Sequence, residues 1–162
     1  MSNKNVSPGI GRPLRSVNRE FPPDESILQF MNSHRITKLI NINSIDCLEI
    51  AEEIYNHVKI GAIVYFAHKE TTWPSTAAQL NPSSFSSTIL VPEQIKDQNK
   101  NIEYAYHAAY TDGRYIYDPR MSSRATPRTD YTRFIKALNQ GAVSARYTFG
   151  PSGTFHKGLY CR

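Results

Sequence analysis

The chain has 162 residues, the size of one domain, and 40% of them are apolar, enough for a core and too many for wholesale disorder. Its 19 Lys and Arg against 14 Asp and Glu give a net charge of +5, which suits an acidic protein, a nucleic acid or an anionic membrane surface and selects none of them. No uninterrupted apolar run is long enough for a transmembrane helix, and the two cysteines, Cys47 and Cys161, make neither a disulfide framework nor zinc-ligand spacing. No apolar run follows the first basic residues, so no classical secretory signal peptide is expected. A reduced, cytosolic place of action fits the cysteine usage, with any export by another route.

Residues 1–23 are rich in Pro and Gly, carry Lys4, Arg12, Arg15 and Arg19, and show no periodicity. They read as a flexible or surface-draped arm, and residues 24–162 as a single domain. Asp24 is placed to cap a short helix with Ile27, Leu28, Met31 and Phe30 on one face, ending near His34. Residues 38–45 read as irregular. A second helix follows, capped by Asn43 or Ser44, with Asp46 and Glu49 in or near its first turn. Cys47, Ile50, Ala51, Ile54, Tyr55 and Val58 share one face of it, and Gly61 stops it. Ala62–His68 reads as a strand, residues 71–84 as a loop carrying Trp73, and residues 85–91 as a strand ended by Pro92. Residues 93–100 read as one or two helical turns. Residues 103–110 and 114–118 form a hairpin around Asp112-Gly113, the favoured two-residue turn. Residues 119–128 are a basic loop. Asp130 caps a helix through Leu138 closed by Gly141, a strand covers 142–149, and the tail lies on the surface. This order predicts an α+β domain with a mostly antiparallel sheet.

Three residues stand out chemically. Cys47 falls in the first turn of its helix, where free N–H groups and the helix dipole favour a thiolate, the nucleophilic form. Its place on the apolar face also suits an ordinary core cysteine. If Asp112 and Gly113 are the two loop residues, Thr111 faces Arg114, Tyr110 faces Tyr115, and His107 faces Asp118. Opposed residues point to one side with Cβ atoms about 5 Å apart, within reach of a carboxylate–imidazole hydrogen bond. A one-residue slip would separate them. Ala105 and Ala109, small and on the His107 face, leave room there for the start of the Cys47 helix. The three residues together make a Cys–His–Asp triad, in which the acid orients the histidine and the histidine exchanges protons with sulfur and leaving group. The Cys47 backbone N–H can serve as one oxyanion donor, and Asn41, Asn43 or Ser44 as the other.

The order Cys at a helix start, His in a strand and then "YHAAYTDGRYIYDPR" resembles the papain-like superfamily, and in particular the His/Asp hairpin of its bacterial toxin and effector branch. The resemblance spans about residues 41–120. It implies a papain-like core, with the Cys-bearing helix packed on the sheet, and the triad Cys47, His107 and Asp118. It also implies a cysteine hydrolase: a protein deamidase of Asn or Gln side chains, a cysteine protease or a transglutaminase. Asn41 holds the place, six before the cysteine, where papain has a glutamine. Among compact effectors, the resemblance extends in plan to deamidases that inactivate Rho-family GTPases, acting in the cytosol of a target or host cell. The partner implied is a protein substrate such as a small GTPase, with an immunity protein if the target is bacterial.

Trp73 reads as a core plug or as the wall of a substrate cleft. Arg120 and Arg124, with Arg128 and Arg133, read as a solvated basic loop or a substrate-steering patch. No cofactor and no metal are expected, because His34, His57, His68 and His156 share no ligand spacing with Cys, Asp or Glu. Two other readings stand beside the enzyme: an RNase-like toxin using His107 with Arg and Tyr side chains, and a non-catalytic binding module in which the His–Asp pair is structural.

Overall fold

The computed structural model describes residues 19–42, 45–95, 98–149 and 152–156. Most of the expected arm, as residues 1–18, lies outside the described residues, as do Asn43, Ser44 and Cys161. The described residues form four helices, α1 (Glu25–Met31), α2 (His34–Ile40), α3 (Cys47–Val58) and α4 (Arg128–Leu138). Their strands are β1 (Ala62–His68), β2 (Ile89–Ile95), β3 (Gln98–Tyr104), β4 (Tyr106–Thr111), β5 (Tyr115–Tyr117), β6 (Thr126–Pro127), β7 (Val143–Thr148) and β8 (Phe155–His156). One sheet runs β6-β5-β4-β1-β7-β8, a second consists of β2 and β3, and every pairing is antiparallel. The architecture is α+β.

β1 is the centre of the large sheet and is buried on both faces. Ile63 and Tyr65 face α3, together with Cys47, Ala51 and Ala108. Val64 and Phe66 face the other way, against Tyr131 and Ile135 of α4 and against Ile89 and Val91 of β2. That is why β1 reads as a continuous apolar run rather than an alternating one. Tyr110, Tyr115 and Tyr117 are fully buried with Ile50, Ile54 and Ile27. Each such aromatic contributes roughly 1.5–3 kcal/mol through burial, and their hydroxyls find partners: Tyr110 on Ile60 O at 2.8 Å, Tyr115 on Phe21 O at 2.6 Å and Tyr117 on Asp112 Oδ2 at 2.7 Å. Gly61, at φ +94°, is required where α3 hands over to β1, because a Cβ there would meet Thr111 O at 2.5 Å and the Tyr110 hydroxyl at 2.6 Å.

Asp24 caps α1 as expected, accepting from the N–H groups of Ser26 and Ile27. Residues 38–45, expected to be irregular, instead contain the end of α2, which Ser33 caps. The cap of α3 is Asp46, whose carboxylate accepts the Glu49 N–H at 3.0 Å while Glu49 Oε1 accepts the Asp46 N–H at 3.0 Å. This capping box puts Cys47 at the first helical position. Asp46→Ala is expected to lower stability by about 1 kcal/mol, read as a shift of the urea midpoint; an unchanged midpoint would show that packing alone holds the helix start.

Two expectations around the hairpins are corrected. Residues 93–100 are expected to form a helical turn; residues 93–95 instead continue β2 and pair with residues 98–100 of β3, and residues 96 and 97 lie outside the described residues. The strand expected over 103–110 bends at Ala105 and serves two sheets, β3 in one and β4 in the other. The β4–β5 register is also shifted by two from the expected one, with Tyr110 opposite Tyr117 and Thr111 opposite Ile116. The cause lies in the turn. Gly113, at φ +99°, takes the first central position and Arg114 the second. Asp112 moves out of the loop to pair with Tyr115, its N–H reaching Tyr115 O at 3.3 Å, and its Oδ1 accepts the N–H groups of Arg114 and Tyr115 at 2.9 Å.

Candidate active site

A two-residue shift preserves the face, so His107 and Asp118 still meet, now as diagonal neighbours. His107 is the second residue of β4, just past the bend at Ala105. β5 ends at Tyr117, and Asp118 opens the following turn, its carbonyl accepting the N–H groups of Met121 and Ser122 at 3.0 Å. His107 Nε2 lies 2.7 Å from Asp118 Oδ2, and both side chains are buried, at 2% and 5% exposure. Asp118 Oδ1 accepts the Arg120 N–H at 3.2 Å. The carboxylate thus has a donor on each oxygen and a fixed orientation toward the imidazole.

Cys47 comes to this pair by a different route from the one expected. The small residues beside His107 do not receive α3; Phe66 and Tyr131 flank the ring on that face. Cys47 packs on the opposite face, with Ala108, Ile63 and Tyr65. Its sulfur reaches the edge of β4, where the Ala108 N–H donates to Sγ at 3.3 Å. The edge is open there because β5 pairs with β4 only through Tyr110 and Thr111. The thiol therefore takes the place on the β4 edge that a longer β5 would otherwise hold, one residue from His107.

His107 has one ring nitrogen committed to Asp118 and the other, Nδ1, buried without an aligned hydrogen-bond partner among the described residues. Burial pushes the imidazolium toward losing its proton. The Asp118 carboxylate, its hydrogen bond to the ring and the neighbouring Cys47 outweigh it, and the pKa is pushed up to about 10. Asp118 moves the other way: burial raises its pKa, but the charge and hydrogen bond of His107, with further hydrogen bonds from Tyr131 and Arg120, hold it below the usual carboxylate value. Both shifts favour the charged forms, an imidazolium beside a carboxylate.

Several residues around this centre had no signal in the sequence. The Tyr131 hydroxyl donates to Asp118 Oδ2 at 2.5 Å and lies 3.0 Å from His107 Nε2. Glu93, from the strand that had been expected to end at Pro92, is 4% exposed, and both its oxygens accept from the Tyr104 hydroxyl. Arg120 Nε donates to Glu93 Oε2 at 2.8 Å and its Nη1 to Ile45 O at 3.2 Å. Arg120 is thus turned inward, bracing the segment that leads into α3, and is not part of a solvated steering patch. Arg124 is exposed, with its backbone N–H on Ser122 Oγ at 3.0 Å.

Asn41 is exposed, and its amide donates to Thr37 O of its own helix at 3.0 Å. Asn43 and Ser44, the other oxyanion candidates, lie outside the described residues. Trp73 is half-buried in an aromatic cluster with Tyr65, Phe85 and Phe155 at centroid distances of 5.3–6.5 Å, packed against the same small core as Cys47. No group of three or more His, Cys, Asp or Glu side chains suited to a metal ion occurs among the described residues, and no described helix is long and apolar enough to cross a membrane.

In comparisons with known proteins, no family model matches the chain, and neither a curated protein nor a solved structure does.

Proposed function

We propose that the protein is a cysteine acyl-transfer enzyme acting on a protein amide, with deamidation of a Gln or Asn side chain as its reaction and peptide cleavage as the nearest variant. The observation that carries this is the juxtaposition of Asp118, His107 and Cys47: a buried carboxylate fixes one imidazole nitrogen at 2.7 Å, and a thiol at a helix start accepts the N–H of the very next residue, Ala108, at 3.3 Å. A structural His–Asp pair needs no thiol beside it on the strand, and a core cysteine needs no open strand edge.

In the proposed reaction, Cys47 Sγ adds to the carboxamide carbon. The developing oxyanion is held by backbone donors, for which the Cys47 N–H, without an intrahelical acceptor at its position, and the Ala108 N–H beside the sulfur are the candidates. The C–N bond breaks as His107 passes its Nδ1 proton to the nitrogen, so ammonia leaves and a thioester remains. His107 then takes a proton from water, the hydroxide adds to the thioester carbon, the C–S bond breaks, and a carboxylate product departs. Asp118 stays ionised throughout, holding the ring in orientation. Cys47 is only 7% exposed, which favours a slender side-chain carboxamide over a main-chain segment. The resemblance of the His/Asp hairpin to papain-like toxins extends the proposal to a toxin or effector whose substrate is a protein of the target cell, with Rho-type small GTPases the first to try.

The test is iodoacetamide labelling of the native protein at neutral pH, read by peptide mass spectrometry, with Cys161 as the second thiol in the same digest. Cys47 is expected to label without unfolding, and His107→Ala to slow it by about tenfold or more. With the ring's pKa raised, its proton is present at neutral pH and is lost as pH rises through about 10, so the dependence on His107 should fade in that range. A Cys47 that labels only after denaturation would leave a core cysteine and end the proposal.

A further inference from the structure

The oxygen that holds His107 carries a second donor from a different element. Tyr131, in the first half of α4, is 1% exposed. Its ring packs against Phe66 with centroids 5.4 Å apart, which fixes where the hydroxyl can point. That hydroxyl donates to Asp118 Oδ2 at 2.5 Å, the atom that His107 Nε2 approaches at 2.7 Å, and the Tyr131 oxygen is itself 3.0 Å from Nε2. The three polar atoms close a triangle sealed from water. A carboxylate oxygen that serves two donors gives each less than it would give one.

We propose that Tyr131 is a positioning residue for the reaction proposed above: by donating into Asp118 Oδ2 it locks the carboxylate against the imidazole and takes a share of its charge, so that His107 is held in place yet can still release its Nδ1 proton to departing ammonia. The inference rests on the cysteine-enzyme reading. Burial, then the neighbouring Asp118, push the phenol's own pKa well above its usual value, so the hydroxyl remains a donor throughout. The groups facing His107 are few. Asp118 follows β5, Cys47 comes from α3, Tyr131 from α4, and the Tyr104 ring of β3 stands 6.2 Å away. Phe66 of β1 is apolar. Arg120 enters through its backbone N–H on Asp118, its guanidinium being held by Glu93. Among these, only Tyr131 can lose its contact by the removal of one oxygen with the packing kept.

Without that hydroxyl the whole Asp118 charge falls on His107, and the imidazolium is held more tightly. The experiment is the pH profile of Cys47 alkylation by iodoacetamide in the wild type, Tyr131→Phe and His107→Ala, with melting temperatures taken in parallel. Tyr131→Phe is expected to move the upper inflection, where the imidazolium loses its proton, upward by about half a pH unit or more. 3-Fluorotyrosine placed at position 131, a stronger donor of the same shape, is expected to move it downward, which keeps the test open if Tyr131→Phe folds poorly. An inflection that neither replacement moves, even with a lowered melting temperature, makes the hydroxyl merely structural and overturns the inference. A profile that His107→Ala also leaves unchanged defeats the cysteine-enzyme reading itself, so the two failures are told apart.

Discussion

Cys47→Ala and His107→Ala are each expected to lower ammonia release from a denatured, glutamine-rich protein probe by about a thousandfold or more. In the proposed reaction the sulfur is the atom that forms the covalent intermediate, and no other described residue can replace it, because Cys47 is the cysteine among the described residues and is buried at the β4 edge beside His107. Cys47→Ala removes one atom from an apolar cluster, so its fold should hold. His107→Ala is harsher, since it leaves Asp118 buried with Tyr131 and one backbone N–H as donors. His107→Gln, which can still donate to the carboxylate, serves as its folded control. The double variant Cys47→Ala with His107→Ala is expected to be no slower than either single, because residues that act as a unit lose their effect together. A folded Cys47→Ala protein with full activity would remove the thiol from the mechanism.

Which parts of this were legible in the sequence follows from how local each signal is. The Asp24 cap, the β1 strand and the place of Cys47 at a helix start depend on neighbours within a few residues, and those read correctly. The meeting of His107 and Asp118 was read through the wrong register and still held, because side chains alternate with period two and the register was displaced by two. The displacement came from the turn, where Gly113 alone supplies the positive φ that a two-residue turn over Asp112-Gly113 would require of both residues.

Pro92 misled for a geometric reason. Leu90 and Gln94 send their N–H groups outward, to Asn139 Oδ1 at 2.7 Å and Arg120 O at 2.6 Å. By alternation the missing N–H of Pro92 also falls on the outer edge, where no ladder bond is lost, so the strand runs on through Glu93 to Ile95. The sequence carries no trace of Tyr131 as part of the site, because its partners lie 13 and 24 residues away and only the packing of α4 on the sheet unites them. The same is true of the pairing that turns Arg120 inward, across 27 residues.

That ion pair carries the largest expected effect on stability. Arg120 and Glu93 are 11% and 4% exposed, and the Arg120 guanidinium also binds Ile45 O, one residue before the cap of α3. Breaking a buried pair leaves the other charge without compensation, at a cost of about 3–5 kcal/mol. Arg120→Met is therefore expected to destabilise by that amount in urea unfolding, since it strands the Glu93 carboxylate with the Tyr104 hydroxyl and frees the segment leading to Cys47. Glu93→Gln should cost less, because the amide still accepts from Tyr104. The double variant Glu93→Leu with Arg120→Met is expected to recover much of the loss, as replacing both charges with apolar groups removes the desolvation penalty along with the attraction. Its rate of Cys47 alkylation should nevertheless stay below that of the wild type, because the brace on Ile45 O is still missing. A cost below about 1 kcal/mol for Arg120→Met would place the pair in the range of exposed ion pairs and return Arg120 to the basic loop surface. Full stability in the double variant with slow alkylation would instead separate the two functions of this arginine, one in folding and one in holding the start of α3 against the open edge of β4.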